Sequence, residues 1–199
     1  MSEWWTYQLS DFLMFSPQIY WRLVERYNRE VWPLQLLALA SGCALLWLAI
    51  AQRPGTRRIA AMVLAGACLW TAWAFAWRRY AGINWAAEYL AMAFGVQAVL
   101  LLVAAVMDRG RDSVPGNPVV ARRIGLIVAA CGVLLYPLAG VPFGRPLAQA
   151  EVFGLMPDPT ALTTLGFLFA APMRYRAWLA VIPALSFVAG MLTLWTMAH

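Results

Sequence analysis

Six long apolar stretches constrain this chain more than any other feature of its sequence. A helix that crosses a hydrocarbon core of ~30 Å needs about 20 mostly apolar residues. The stretches that meet this need are Val31–Ala51, Ile59–Trp77, Ala86–Met107, Ile124–Gly140, Val152–Met173 and Ala177–Ala198. Every backbone N–H and C=O in lipid needs a partner within its own segment, so these stretches must be helices. The sequence therefore predicts an all-α, polytopic membrane protein with six transmembrane helices over residues 31–199.

The composition agrees with this class. Hydrophobic residues make up 63% of the chain and charged residues only 12%, whereas about a quarter of the residues are charged in typical soluble domains. No polar block is long enough to fold separately, so we expect one transmembrane domain whose main partner is the lipid bilayer.

Residues 1–30 precede the first apolar stretch and form a separate N-terminal interfacial segment in our prediction. Helical spacing from Pro17 onward indicates an amphipathic helix on the membrane surface. Its apolar face holds Ile19, Tyr20, Leu23, Val24 and Tyr27, and its polar face holds Arg22, Glu25, Arg26 and Arg29. Upstream, Asp11 either caps a short helix or points into a cavity.

The arginines predict the orientation, because all 15 basic residues are arginine. One set of connections holds Arg53, Arg57, Arg58, Arg109, Arg111, Arg122, Arg123, Arg174 and Arg176, and the other holds Arg22, Arg26, Arg29, Arg78, Arg79 and Arg145. The richer set belongs in the cytoplasm, so both termini are expected in the periplasm of a bacterial inner-membrane protein. Arginines beside anionic lipid account for the net charge of +6, and no nucleic-acid partner is expected.

The sequence offers little for catalysis or metal binding. It has no nucleophile elbow, zinc-protease motif or phosphate-binding loop, and its single histidine is His199. Cys43, Cys68 and Cys131 each lie within a predicted span without a CxxC pair. They are expected to be buried small apolar side chains, and soft-metal transport stays open only if the three converge. We expect no metal, no cofactor and no enzymatic activity.

Polar side chains at membrane depth are the first candidates for a solute pathway, because a buried charge is costly unless it faces a cavity or a partner. Asn84, Glu88 and Gln97 lie in or just before the third span. Glu88 either lines a pore or reaches the outer headgroups, where it would pair with Arg78 or Arg79.

The most unusual segment is "MPDPTALTTLG", residues 156–166. From Thr160 to Pro172 the run is too short to cross the bilayer at 1.5 Å per residue, so the fifth span must include Pro157 and Pro159, which break its helix. Asp158 then occupies the N-cap position, with Thr160, Thr163 and Thr164 on the opening turns. The alternative is an ordinary loop that ends in a well-capped helix.

Three pieces of the sequence resemble a family of bacterial six-span inner-membrane proteins catalogued only as a domain of unknown function. These are "WWTYQLSDFLMFSP", "NREVWPLQLLAL" and "PDPTALTTLG". The resemblance implies the fold and the compartment but no activity. A fainter similarity, in "AGINWAAEYLAMAF", is to the bacterial urea and amide channels, which lack the Pro-Asp-Pro break.

Two functions of different classes remain. The first is a channel or transporter for a small polar or weakly acidic solute, with a pathway drawn from Asp11, Asn84, Glu88, Gln97, Asp158, Thr160, Thr163 and Thr164. The second is a non-catalytic membrane subunit or assembly factor of a larger complex. Small residues such as Gly42, Gly66, Gly132 and Gly190 suit close helix packing, within the chain or in a homo-oligomer.

Overall fold

The computed structural model describes residues 15–107, 119–171, 173 and 175–198. This part of the chain is helical and contains no strand. Its α-helices are α1 (Pro17–Glu30), α2 (Leu34–Ile50), α3 (Thr56–Trp70), α4 (Ala86–Met107), α5 (Val119–Ala130), α6 (Pro157–Ala170) and α7 (Arg176–Ala198). The predicted all-α class is confirmed for these residues.

Several helices are long and apolar enough to cross a membrane. α3 and α5 gain length from π-helical continuations, Thr71–Trp77 and Cys131–Leu135. Within the described residues, four candidate spans result: Thr56–Gly82, Ala86–Met107, Val119–Phe143 and Arg176–Met197. A fifth is reached only if α1 and α2, which meet at 88°, count as one broken span. The chain is thus a helical membrane protein, but the predicted six spans are not reached.

α6 is the reason that the fifth predicted span falls short. Its 14 residues cover ~21 Å at 1.5 Å per residue, against a hydrocarbon core of ~30 Å. Nearly all of its side chains are buried, because α3, α5 and α7 pack around it. α6 is therefore an enclosed central helix, and its polar side chains meet protein rather than lipid.

The start of α6 differs from the prediction in one detail. The N-cap residue is Met156, and Asp158 is the second residue of the helix. Pro157 is the first helical residue, where the missing N–H does no harm. The prediction of Asp158 as the N-cap was wrong: Pro157 occupies the first helical position, so the helix begins two residues earlier than predicted. Upstream, residues 150–156 are not helical.

α1 is amphipathic, as its spacing predicts, with Tyr20, Val24 and Tyr27 buried. This face is covered by the protein itself. Tyr27 packs on Phe75, with ring centroids 5.4 Å apart, and Asn28 donates hydrogen bonds to the carbonyls of residues 148 and 150, at 2.9 and 2.8 Å. α1 therefore lies against the segment that leads into α6.

Glycines let α6 approach its neighbours. A Cβ added at Gly125 or Gly166 would collide with backbone atoms across the α5–α6 contact, and one at Gly132 would meet Thr163. At Gly42 a Cβ would come within 2.7 Å of a Val133 methyl group. Gly66 makes no such contact within the described part of the chain, because the space around it is open.

This contrast predicts opposite results for two matched substitutions. Gly166→Ala should lower the melting temperature in detergent, because its Cβ meets the Ala129 backbone and overpacking costs about 1–3 kcal/mol. Gly66→Ala should leave it unchanged or raise it, since alanine favours a helix by up to ~1 kcal/mol over glycine. Equal melting temperatures for the two variants would contradict the proposed α5–α6 packing.

Candidate functional site

A cavity of about 370 Å³ lies between the beginning of α4 and the C-terminal half of α7. The N-terminus of α6, one residue of α1 and the segment between α3 and α4 complete its wall. Most of the lining is apolar, and the described side chains in it that carry polar groups are Tyr20, Tyr80, Asn84, Tyr89, Asp158, Ser186 and Thr193.

Among the described residues, Asp158 is the one acid in this lining. It is 7% exposed, and its Oδ2 accepts a hydrogen bond of 3.3 Å from the Tyr136 hydroxyl. On the α7 side, a Cβ at position 190 would collide with both carboxylate oxygens. The absence of a side chain at Gly190 therefore leaves room for the carboxylate.

A second buried acid, Glu151, lies in the connection before α6, outside the candidate spans. It accepts a hydrogen bond of 2.9 Å from the hydroxyl of Tyr20. Burial raises the pKa of the Glu151 carboxyl, while the Tyr20 hydrogen bond and the charge of Arg145 act in the opposite direction. Glu151 and Asp158 also interact electrostatically, so the two acids form one polar cluster.

Aromatic side chains of α1 and α3 hold this cluster in place. The hydroxyl of Tyr27 donates to the Leu155 carbonyl at 3.3 Å and accepts from the indole N–H of Trp70 at 3.0 Å. The rings of Tyr20 and Tyr80 meet edge to face, 5.7 Å between centroids. α1 is therefore tied both to α3 and to the segment that carries Glu151.

The three polar residues predicted around the third span are separated in the structure. Asn84 lines the cavity and donates to the Tyr80 hydroxyl at 3.0 Å. Glu88 is exposed and lies outside the cavity lining. Gln97 is buried further along α4, where its amide donates to the Leu179 carbonyl at 3.0 Å.

The alternative pairing of Glu88 with an arginine is not seen among the described residues. Arg79 pairs instead with Glu30, at 2.8 Å, and the Arg78 guanidinium lies over the ring of Trp73, 5.1 Å from its centroid. Both arginines belong to a separate groove of about 490 Å³ that Arg22 and Arg26 also line. These positive charges therefore lie outside the cavity.

The threonines of α6 lie within the protein rather than in the cavity lining. Thr160 donates to the Met156 carbonyl at 2.6 Å and accepts from the Gly154 amide at 2.8 Å. Thr164 donates to the Thr160 carbonyl at 2.7 Å. Thr163 is fully buried beside Gly132. Pro157 lines the cavity together with Asp158, and Asp11 lies outside the described residues.

Within the residues that the structure describes, no group of three His, Cys, Asp or Glu side chains could hold a metal ion. Cys68 is buried and Cys131 is half-buried, but Cys43 is exposed. The expected burial was wrong for Cys43, because that residue lies on a face of α2 that no other described helix covers.

Three residues of the site were not predicted from the sequence: Glu151, Tyr136 and Ser186. Tyr20 was predicted only as part of the apolar face of α1. Glu151 could have been found as an acid seven residues before Asp158 and next to the same helix break. The tyrosines and Ser186 gave no comparable signal, because their proximity to Asp158 depends on how α1, α5 and α7 pack.

Fold and site together define a polytopic helical membrane protein with a buried carboxyl group in a cavity. The chain belongs to the family of unknown function DUF6064, whose profile matches residues 17–197. The resemblance to an uncharacterised membrane family is thereby confirmed. No curated protein and no solved structure matches the chain.

The raised pKa of Glu151 predicts a pH dependence of stability. In the folded protein the Glu151 carboxyl group keeps its proton at pH values above its ordinary pKa of 4.5. In that range the folded state therefore binds more protons than the unfolded state. Stability should therefore fall as the pH rises from 4.5 toward the pKa of the folded state. Glu151→Gln should make the melting temperature depend less on pH across this range. The control Glu88→Gln, at an exposed site, should keep the pH dependence of the wild type. Identical slopes for the wild type and Glu151→Gln would contradict this assignment.

Proposed function

We propose that the protein is a transporter or channel that carries a small polar solute across the bacterial inner membrane, and that the cavity beside Asp158 is its binding site. The observation that supports this most is that a buried carboxyl group, Asp158, and a buried hydroxyl, Ser186, line the same cavity. The Ser186 hydroxyl has no hydrogen-bond partner among the described residues. Polar groups placed in an otherwise apolar cavity are typical of small-molecule sites.

The energetics of Asp158 support a functional role. A carboxyl group at membrane depth costs several kcal/mol unless it faces a cavity or a partner. In the described residues Asp158 has no ion-pair partner, and the one side-chain hydrogen bond that it accepts, from Tyr136, is long at 3.3 Å. A solute that donates hydrogen bonds to the carboxyl group would compensate for part of this cost.

The packing of α6 beyond Asp158 favours a transporter that changes conformation over an open channel. Beyond Asp158 no residue of α6 lines the cavity, and Thr160, Thr163 and Thr164 are fully buried. A solute in the cavity can go no further unless helices move. The bend between α1 and α2, together with the short α6, resembles the broken helices that form solute sites in many transporters.

The charge of the site limits the class of solute. Because an acid lines the cavity and no arginine does so among the described residues, the site does not favour an anion. A weakly acidic solute would therefore bind in its neutral form. With both termini in the periplasm, the cavity would face that side, since the connections between α3 and α4 and between α5 and α6 lie next to it.

Solute flux into proteoliposomes tests the proposal. A panel of small polar solutes, including urea, acetamide, glycerol and methylammonium, would be followed by stopped-flow light scattering. At least one solute should enter faster than into empty liposomes. Asp158→Asn should slow that flux by about tenfold or more, because a hydrogen bond to a charged group contributes about 1.5–3 kcal/mol.

Glu88→Gln is the matched control, because Glu88 is exposed and outside the cavity, and its flux should equal that of the wild type. Flux no faster than that of empty liposomes for every solute, from protein that elutes as a single folded species, would refute the proposal.

The second candidate is a membrane subunit or assembly factor. It is favoured by the exposed outer faces of α5 and α7. In the most apolar 18 residues of the spans Val119–Phe143 and Arg176–Met197, only 22% and 17% of the residues are buried. Either lipid or partner helices, including those of a second copy, could cover such faces. Recovery of the same partner proteins after crosslinking in native membranes, together with absent flux, would favour this candidate over the transporter.

A further inference from the structure

We infer that the cavity binds a small organic cation, with an ammonium group paired to Asp158. This inference rests on the proposed function, since it names the class of solute for the same site. It depends on three features of the cavity: its charge, its aromatic wall and the hydroxyl group of Ser186.

Among its described lining residues, the cavity holds an acid and no built-in counterion. Asp158 lines it, and no arginine does so among the described residues. The nearby arginines are directed elsewhere: the guanidinium of Arg145 lies over the Trp21 ring, 3.8 Å from its centroid, and Arg79 pairs with Glu30. At reduced dielectric constant, an unpaired carboxylate attracts a cation more strongly than it does in water.

Aromatic rings form part of the same wall. Phe75, Tyr20, Tyr80 and Tyr89 all line the cavity. Phe75 and Tyr20 each lie 5.7 Å from Tyr80, measured between ring centroids. Because aromatic faces attract ammonium groups, rings beside a carboxylate favour an organic cation over a neutral solute.

The buried hydroxyl group of Ser186 is a second, independent observation that points to a ligand in the cavity. Ser186 is 8% exposed and lines the cavity, and its hydroxyl has no hydrogen-bond partner in the part of the chain that the structure describes. A buried hydroxyl left without a partner costs about 1–3 kcal/mol. A primary ammonium group, with three N–H donors, has enough of them to reach both Asp158 and Ser186.

The apolar remainder of the wall selects against bare metal ions. Leu90, Ile182, Leu185 and Leu194 line the cavity and offer no oxygen ligands. Hard metal ions need about six oxygen atoms around them. Alkyl groups on a cation, by contrast, would bury their surface against these side chains.

Ligand binding to the full-length protein in detergent tests the inference. The probes are methylammonium and tetramethylammonium, with urea as a neutral control, acetate as an anionic control and potassium chloride as a salt control. Isothermal titration should show saturable binding of both ammonium ions and none of the controls. Asp158→Asn should weaken both ammonium ions by about tenfold or more, because it removes the acid whose negative charge attracts both cations, while Glu88→Gln should bind as the wild type does.

Ser186→Ala provides a second test that does not depend on the folding of Asp158→Asn. It should weaken methylammonium, which has N–H donors, more than tetramethylammonium, which has none. Equal losses for the two ions would overturn the role of Ser186 in the inference.

The failures of the two proposals are distinguishable. If urea binds in an Asp158-dependent manner and the ammonium ions do not, the cation inference is wrong and the cavity remains a solute site. If no probe binds in a manner that depends on Asp158 or Ser186, both the inference and the proposed binding site are wrong.

Discussion

The burial of the Asp158 carboxyl group at the beginning of α6 is the constraint on which the rest of the structure depends. α6 is too short to cross a bilayer, so its polar first turn lies inside the bundle and must be accommodated by protein. Tyr136 provides a hydrogen bond, Gly190 provides space, and the cavity provides a polar surface. These features come from several helices, so the position of the acid constrains how the helices meet.

Close backbone contact makes this arrangement possible. Gly125 and Gly166 bring the backbones of α5 and α6 together, and membrane helices rely on such contacts because lipid gives no hydrophobic force between them. The threonines of α6 bond largely to carbonyls of their own helix and its leading segment. The interior around the threonines of α6 is consequently densely packed, whereas Asp158 lies beside a cavity.

The sequence predicts the helical membrane class, the family and the unusual start of α6, because length, apolar character and proline each act locally. The pathway residues depend on packing and were harder to predict. Asn84 and Glu88 would share a face of one continuous helix, but α4 begins at Ala86, so Asn84 lies in the preceding turn and faces the cavity while Glu88 does not. Glu151 joins the site because α1 folds back over it, which no local pattern encodes.

The central claim is that Asp158 faces an accessible cavity while the threonines of α6 are sealed inside the bundle. Cysteine labelling tests it most directly, in a background in which Cys43, Cys68 and Cys131 are replaced by alanine. Ser186→Cys, on the cavity wall, should react with a small water-soluble thiol reagent, whereas Thr163→Cys, fully buried beside Gly132, should stay protected in the folded protein. An unreactive cysteine at position 186, or equal reactivity at both positions, would contradict the account.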